Sequence, residues 1–193
     1  MMFSRSAERA DALLRRLGPA LPSASPGSHP PVVLIDGRSG SGKSELATAL
    51  AERWPGPVTL VRLDDIYPGW DGLDAASAHV HDHLLASSAP RWQRHDWVTD
   101  TGAEWASIDP ALPLIVEGIG SLSRQNAALA TLRVWVELDD ATRKQRALAR
   151  DGEAYAPHWE RWAAQERAFI AREHPRALAD VVFTEDDDPD PRR

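Results

Sequence analysis

An α/β fold built on a doubly wound parallel sheet is the architecture this sequence predicts, and three observations predict it. Short apolar runs of strand length alternate with segments of helical periodicity between residues 32 and 183. The first run, Val32-Val33-Leu34-Ile35, is unbroken, as a central strand buried on both faces requires. It leads into Gly37-Arg38-Ser39-Gly40-Ser41-Gly42-Lys43-Ser44, a glycine-rich turn from which a helical pattern departs.

Taken in order, residues 4–17 place Ala7, Ala10, Leu13, Leu14 and Leu17 at three- and four-residue spacings, which predicts an amphipathic helix packed as an accessory to the core. Gly18-Pro19 ends it, and the Pro-, Ser-, Gly- and His-rich residues 19–31 read as a surface connection. After the strand at 32–35 a helix is expected over 44–54, stopping before Pro55-Gly56-Pro57. A second strand, 58–63, delivers Asp64 and Asp65 at its carboxyl end, where ligands of open α/β sheets sit. Residues 67–74 read as a loop and 75–86 as a helix carrying His79 and His83 on one face. No nearby third ligand accompanies those histidines at metal spacing.

Residues 90–105 are dense in Trp, Arg, His and Asp, and so either line a pocket or pack at a domain edge. A strand at 112–116 is followed by Glu117-Gly118, a helix over 123–132 leads to a strand at 133–138, and Asp139-Asp140 open a basic helix over 141–150. A helix over 157–173 ends at His174-Pro175, and 179–183 is the last strand. The expected organisation is therefore a helix and connection over 1–30, a core domain over 31–184, and an acidic tail, 185–193, expected to be disordered.

The totals narrow the function. In 193 residues the formal net charge is −7, which argues against a general nucleic-acid or anionic-membrane binder, since both surfaces select for basic excess. The cysteine count of 0 excludes disulfides, thiolate zinc sites and thiol nucleophiles. No apolar run approaches the roughly 20 residues that span a bilayer, so a cytoplasmic protein acting on a small molecule is expected; a homo-oligomer is compatible with the sequence.

The turn after the first strand matches G-x-x-x-x-G-K-[ST] at Gly37, Gly42, Lys43 and Ser44. Glycines at 37, 40 and 42 let several backbone N–H groups turn toward one anion, and the positive end of the following helix adds to the attraction. Phosphate is the natural guest: Lys43 would reach the β- and γ-phosphates of ATP and the Ser44 hydroxyl would bind Mg²⁺, with Ser39, Ser41 and Glu45 completing the expected ATP contacts. Asp64 is placed to accept or orient a hydroxyl proton, Glu117 to hold Mg²⁺ with Ser44, and the arginine-rich helix to lay guanidinium groups over the transferring phosphate. Together these features specify a kinase. No Asn-Lys-x-Asp guanine element occurs.

In this order, residues 32–46, Leu63-Asp64-Asp65-Ile66-Tyr67, Ile115-Val116-Glu117-Gly118-Ile119, the run from Arg143 to Asp151, and Ala179-Asp180-Val181-Val182-Phe183 resemble the uridine kinase-like P-loop kinases, which include uridine/cytidine, nicotinamide riboside and pantothenate kinases and phosphoribulokinase. The resemblance, over residues 32–184, implies a three-layer P-loop kinase sandwich with a helical lid over about 143–160. It implies Asp64 as catalytic base near the metal, Glu117 approaching Mg²⁺, and Arg143, Arg146 and Arg150 contacting ATP phosphates, with Lys43 and Arg146 serving the transfer. His95-Asp96-Trp97 is similar to the family element that flanks the acceptor pocket, and Tyr67 and Asp71 join it as acceptor candidates. Asp74 is a further candidate for sugar hydroxyls, Trp70, Trp92 and Trp97 for stacking on a base, and Arg91 and Arg94 for a phosphate-bearing acceptor. The resemblance implies a nucleoside as acceptor. Alternatives are a nucleoside monophosphate or other metabolite, or a non-catalytic ATP-binding protein.

Overall fold

The computed structural model describes residues 2–18 and 29–185. Its centre is a five-stranded parallel sheet of order β2-β5-β1-β6-β7, built from β1 (Val32–Asp36), β2 (Thr59–Arg62), β5 (Leu114–Glu117), β6 (Leu132–Val136) and β7 (Val181–Phe183). β1 lies in the middle, pairing Val33 with Ile115 of β5 on one side and with Leu132 of β6 on the other. The period-2 alternation of a strand explains why this run is apolar throughout: Val33 and Ile35 enter the core on one face while Leu34 enters the core on the other.

The first face is covered by α1 (Met2–Leu17) and α2 (Lys43–Arg53). Ala10, Leu13 and Leu17 of α1 are fully buried there against Leu46 and Leu50 of α2, so the N-terminal helix is part of the main core. Burying a leucine contributes about 1.5–3 kcal/mol, enough to hold such a helix in place. The second face is covered by α3 (Leu73–His79), its continuation as one wide turn over Val80–Leu85, and by α6 (Trp159–Glu173), with α5 (Asp140–Tyr155) leading into α6 through a tight turn at Ala156–His158. Gly152 sits at φ +56, ψ −136, bending α5 just before the segment that crosses the site. Two short helices, α4 (Arg124–Ala127) and α7 (Pro175–Leu178), complete the described chain.

The Trp-, Arg- and His-rich stretch is part of a two-stranded antiparallel hairpin over residues 91–107, β3 (Arg91–Asp96) and β4 (Thr101–Ser107), standing apart from the main sheet. Charged residues interrupt every apolar run there, which hides the strands in the sequence. The helix expected over 123–132 is only α4, started by the Ser123 side chain accepting from the Asn126 N–H and closed off before β6 at Leu132. The connection at 19–28 and the tail beyond 185 lie outside the described residues. Among the described residues no helix is long and apolar enough to cross a membrane.

Candidate active site

The glycine-rich turn leaves β1 and enters α2 at the carboxyl edge of the sheet, beside Glu117 at the end of β5 and Asp64 in the single turn that follows β2. Gly40 has φ +81, and a Cβ there would stand 2.0 Å from the Arg143 carbonyl oxygen, so this position accepts only glycine. Asp36 closes β1 with its carboxylate fully buried. One oxygen accepts the Gly37 N–H at 2.6 Å, and the other accepts the N–H groups of Gly120 and Leu122 at 3.1 and 2.8 Å. A single side chain thus ties the start of the turn to the loop after β5. Burial raises this carboxyl from 3.8 to about 7, against the three N–H donors and the nearby Lys43 ammonium, which pull it down.

Three cavities meet at this edge. A cleft of about 250 Å³ is lined by Gly40, Gly42, Lys43, Ser44 and Glu45 from the turn and α2, and by Arg146 and Arg150 from α5. A second, of about 540 Å³, is walled by Tyr67, Trp70, Trp97, Tyr155 and Trp162, with Ser39, Asp64 and Arg150 at its polar end. The third, of about 650 Å³, has Ser44, Glu117, Asp64, Arg62 and Arg150 on its walls and is closed on the far side by Ser6 of α1. Arg150 lines all three.

Ser44 Oγ donates to Glu117 Oε2 at 3.2 Å, and Arg62 Nε lies 3.8 Å from the other carboxylate oxygen. Burial raises the Glu117 carboxyl above its ordinary value, and the Asp64 charge adds to the rise, while Lys43, Ser44 and Arg62 oppose it. Among the described residues no group of three or more His, Cys, Asp and Glu side chains is arranged to hold a metal alone. Ser44 and Glu117 do bring together a hydroxyl and a carboxylate, oxygen donors of the kind Mg²⁺ uses alongside substrate phosphates and water.

The aromatic cavity is assembled from three separate segments. Trp70 stacks on His158 at 4.3 Å and on Tyr155 at 5.5 Å, and meets Trp97 of the hairpin connection at 5.0 Å. The Trp97 indole N–H donates to the Asp64 carbonyl at 2.9 Å, fixing the hairpin tip over the cavity. Tyr67 lies in the wall, edge-on to Trp162 at 4.7 Å, with its hydroxyl spent on the Ile119 carbonyl at 2.7 Å.

Several residues expected from sequence stand elsewhere. Arg143 is buried, with its guanidinium on Asp140 at 2.8 Å and 3.6 Å from Glu166, while Arg146 and Arg150 line the cleft. Asp71 is ion-paired with Arg161 and Asp74 with Arg172. His95 is buried in the hairpin, 3.1 Å from Asp100, while Asp96 caps the hairpin connection by accepting the Val98 N–H at 2.9 Å. Of the arginines considered for a phosphate-bearing acceptor, Arg91 lies over Trp105 and Arg94 pairs with Glu104. His79 and His83, with rings 4.6 Å apart, pack against Trp105.

The structure also brings in residues that sequence reasoning passed over. Trp162 and Tyr155 wall the aromatic cavity. Glu166, fully buried, accepts the Ser39 N–H at 2.8 Å. Its signal was an acid on the apolar stripe of α6, in step with Trp159, Trp162, Ala163 and Phe169.

No family model matches the chain. The tRNA dimethylallyltransferase of Halorhodospira halophila (strain DSM 244 / SL1) is 33% identical over 144 residues, 66% of this chain, and the chain spans 46% of that protein's length. A possible uridine kinase from Bacillus stearothermophilus is similar in structure with a TM-score of 0.60 at 20% identity, over 91% of this chain and 97% of that one. A candidate fructose transport system kinase from Silicibacter sp. TM1040 gives a TM-score of 0.55 at 20% identity, over 92% of this chain and 98% of that one. The chain has the P-loop kinase fold, with a parallel central sheet and flanking helices.

Proposed function

We propose that the chain is an ATP-dependent phosphotransferase that moves the γ-phosphate of ATP to a hydroxyl of a small metabolite held in the aromatic cavity. The observation that carries this reading is the position of Asp64, which lines both the aromatic cavity and the cavity walled by Ser44 and Glu117. An acceptor hydroxyl in the first cavity and a nucleotide phosphate on the glycine-rich turn would meet at that carboxylate. Phosphoryl transfer asks the protein mainly for such positioning and for charge stabilisation.

In this reading the cleft formed by the turn, Lys43, Arg146 and Arg150 binds the triphosphate, its cations facing the charge that spreads over the transferring oxygens. Ser44 and Glu117 are the residues that would hold Mg²⁺, which neutralises phosphate charge when bound. The Asp64 carboxylate orients the acceptor hydroxyl and takes its proton as the oxygen bonds to the γ-phosphorus and the bond to the bridging oxygen of ADP breaks. Trp70, Trp97 and Tyr155 present ring faces and edges to a flat group, which favours a nucleoside as the acceptor.

A second reading rests on the curated relative, whose name describes transfer of a dimethylallyl group. The aromatic cavity would then hold that apolar group, with the donor's phosphates on the glycine-rich turn. ADP formation separates the two. The test is an ATP-consumption screen with Mg²⁺ against nucleosides, nucleoside monophosphates and vitamin alcohols, with the phosphorylated product identified by mass. A nucleoside that yields ADP and its monophosphate in equal amounts supports the proposal. No ADP with any hydroxyl compound overturns it.

A further inference from the structure

The outer arch of the glycine-rich turn, Arg38 to Gly40, is gripped from outside by α5 and α6. Glu166 of α6 accepts the Ser39 N–H at 2.8 Å with one oxygen and the Arg38 Nε–H at 3.0 Å with the other. The Trp162 indole N–H, one turn earlier on α6, donates to Ser39 Oγ at 3.1 Å. At the root of α5, Asp140 accepts from both Arg38 and Arg143 at 2.8 Å, and the Arg143 guanidinium lies 3.6 Å from the second Glu166 oxygen. The four side chains form a neutral quartet of two carboxylates and two guanidinium groups. Only Asp140 is largely exposed, at 76%; the Glu166 side chain is 1% exposed.

We infer that Glu166 is the positioning residue of the phosphate loop, using the Ser39 N–H to hold the arch so that the N–H groups of the turn beyond it stand ready for phosphate before any ligand arrives. A buried carboxylate is retained at high desolvation cost only where its partners satisfy it, and this one is shared by a backbone N–H, the buried Arg143 and the partly buried Arg38. A glycine-rich turn without that hold would have to be ordered by the ligand itself, and the ordering would be subtracted from binding. Trp162 belongs to the same hold while also walling the aromatic cavity, so the loop and the cavity share one helix. The inference rests on the proposed phosphate-binding role of the turn.

The test is titration calorimetry of inorganic diphosphate, with Mg²⁺, into the full chain and its variants, at a temperature where circular dichroism shows each variant folded. Glu166→Gln is expected to weaken diphosphate binding on the order of 10-fold, and Arg38→Met, at a less buried member of the quartet, several-fold. A residue that served stability alone would lower the melting temperature and leave the affinity of the folded protein unchanged. Diphosphate affinity within two-fold of wild type in folded Glu166→Gln overturns the inference; if that variant does not fold, the same result in Arg38→Met does. If the unaltered protein binds neither ATP nor diphosphate, the phosphate-binding reading itself fails and takes the inference with it.

Discussion

Ser44 Oγ and Glu117 Oε2 stand 3.2 Å apart, joining the first turn of α2 to the carboxyl end of β5 across the edge where three cavities meet. Their backbones are fixed by different partners, β5 by its register with β1 and β2, and α2 by the turn that precedes it. In the proposed reaction this hydroxyl and carboxylate are the pair that would hold a cation bound to phosphate.

Lys43 is the first test of the donor side. It is buried and lines the cleft beside the glycine-rich turn, close enough to Asp36 and Glu117 to pull both carboxyls down. Lys43→Ala is expected to cut phosphoryl transfer on the order of 10²-fold or more, because a buried cation facing developing charge is lost. Steady-state ADP release measures it. Near-normal turnover would contradict the role of the turn.

Asp36 gives a pH signature. Its carboxyl is at 3.8 in an unstructured chain and at about 7 in the fold, so between those values the folded protein carries a proton the unfolded chain lacks. Stability contributed by this group is therefore present below about pH 4 and lost as pH rises toward about 7, by a few kcal/mol in all. Asp36→Asn removes the titration. Thermal unfolding of wild type and variant between pH 5 and 8 should show the wild-type advantage shrinking with rising pH; an advantage that grows with pH would contradict it.

Trp97 tests the acceptor side. Trp97→Ala removes a ring from the cavity wall and the bond to the Asp64 carbonyl. A stacked aromatic contact and a hydrogen bond are each worth about 0.5–1.5 kcal/mol, so nucleoside affinity should fall on the order of 10-fold. Trp97→Phe, which keeps a ring and loses the donor, should fall between. Calorimetry should find ADP affinity unchanged in both; parallel loss of ADP binding would show that the hairpin tip serves the whole site.

The glycine-rich turn and the strand-end positions of Asp64 and Glu117 were legible because their signals are local in sequence. A phosphate loop needs its glycines, Lys43 and Ser44 at fixed spacing, and acids at strand ends need only the strands to be found, so Asp64 and Glu117 could be named before any fold was known. The acceptor half depends on distant segments meeting. Tyr155, Trp162 and Trp97 come from α5, α6 and the hairpin, and their convergence leaves no spacing to read. Charged residues misled for a related reason, since residue type does not reveal partners: Asp71, Asp96 and His95 look like substrate ligands and are engaged with Arg161, the hairpin backbone and Asp100. Arg143 sits one turn of α5 before Arg146 and two before Arg150, yet its guanidinium is taken by Asp140 and Glu166 where the bend at Gly40 meets the start of the helix, a pairing that spacing along the helix does not reveal. Asp36 and Glu166 did carry signals, an acid closing an apolar strand and an acid on an apolar helical stripe.

If donor and acceptor meet at the Asp64 carboxylate as proposed, product formation by Asp64→Asn must show it. Wild type and variant are incubated with ATP, Mg²⁺ and a mixture of ribonucleosides, phosphomonoester formation is followed by ³¹P NMR, and ADP affinity is measured by calorimetry on the same preparations. Wild type is expected to form a nucleoside monophosphate with equimolar ADP, and the variant to form it on the order of 10²-fold more slowly at unchanged ADP affinity. Equal rates, or a loss of ADP binding that accounts for the whole loss of rate, would contradict it.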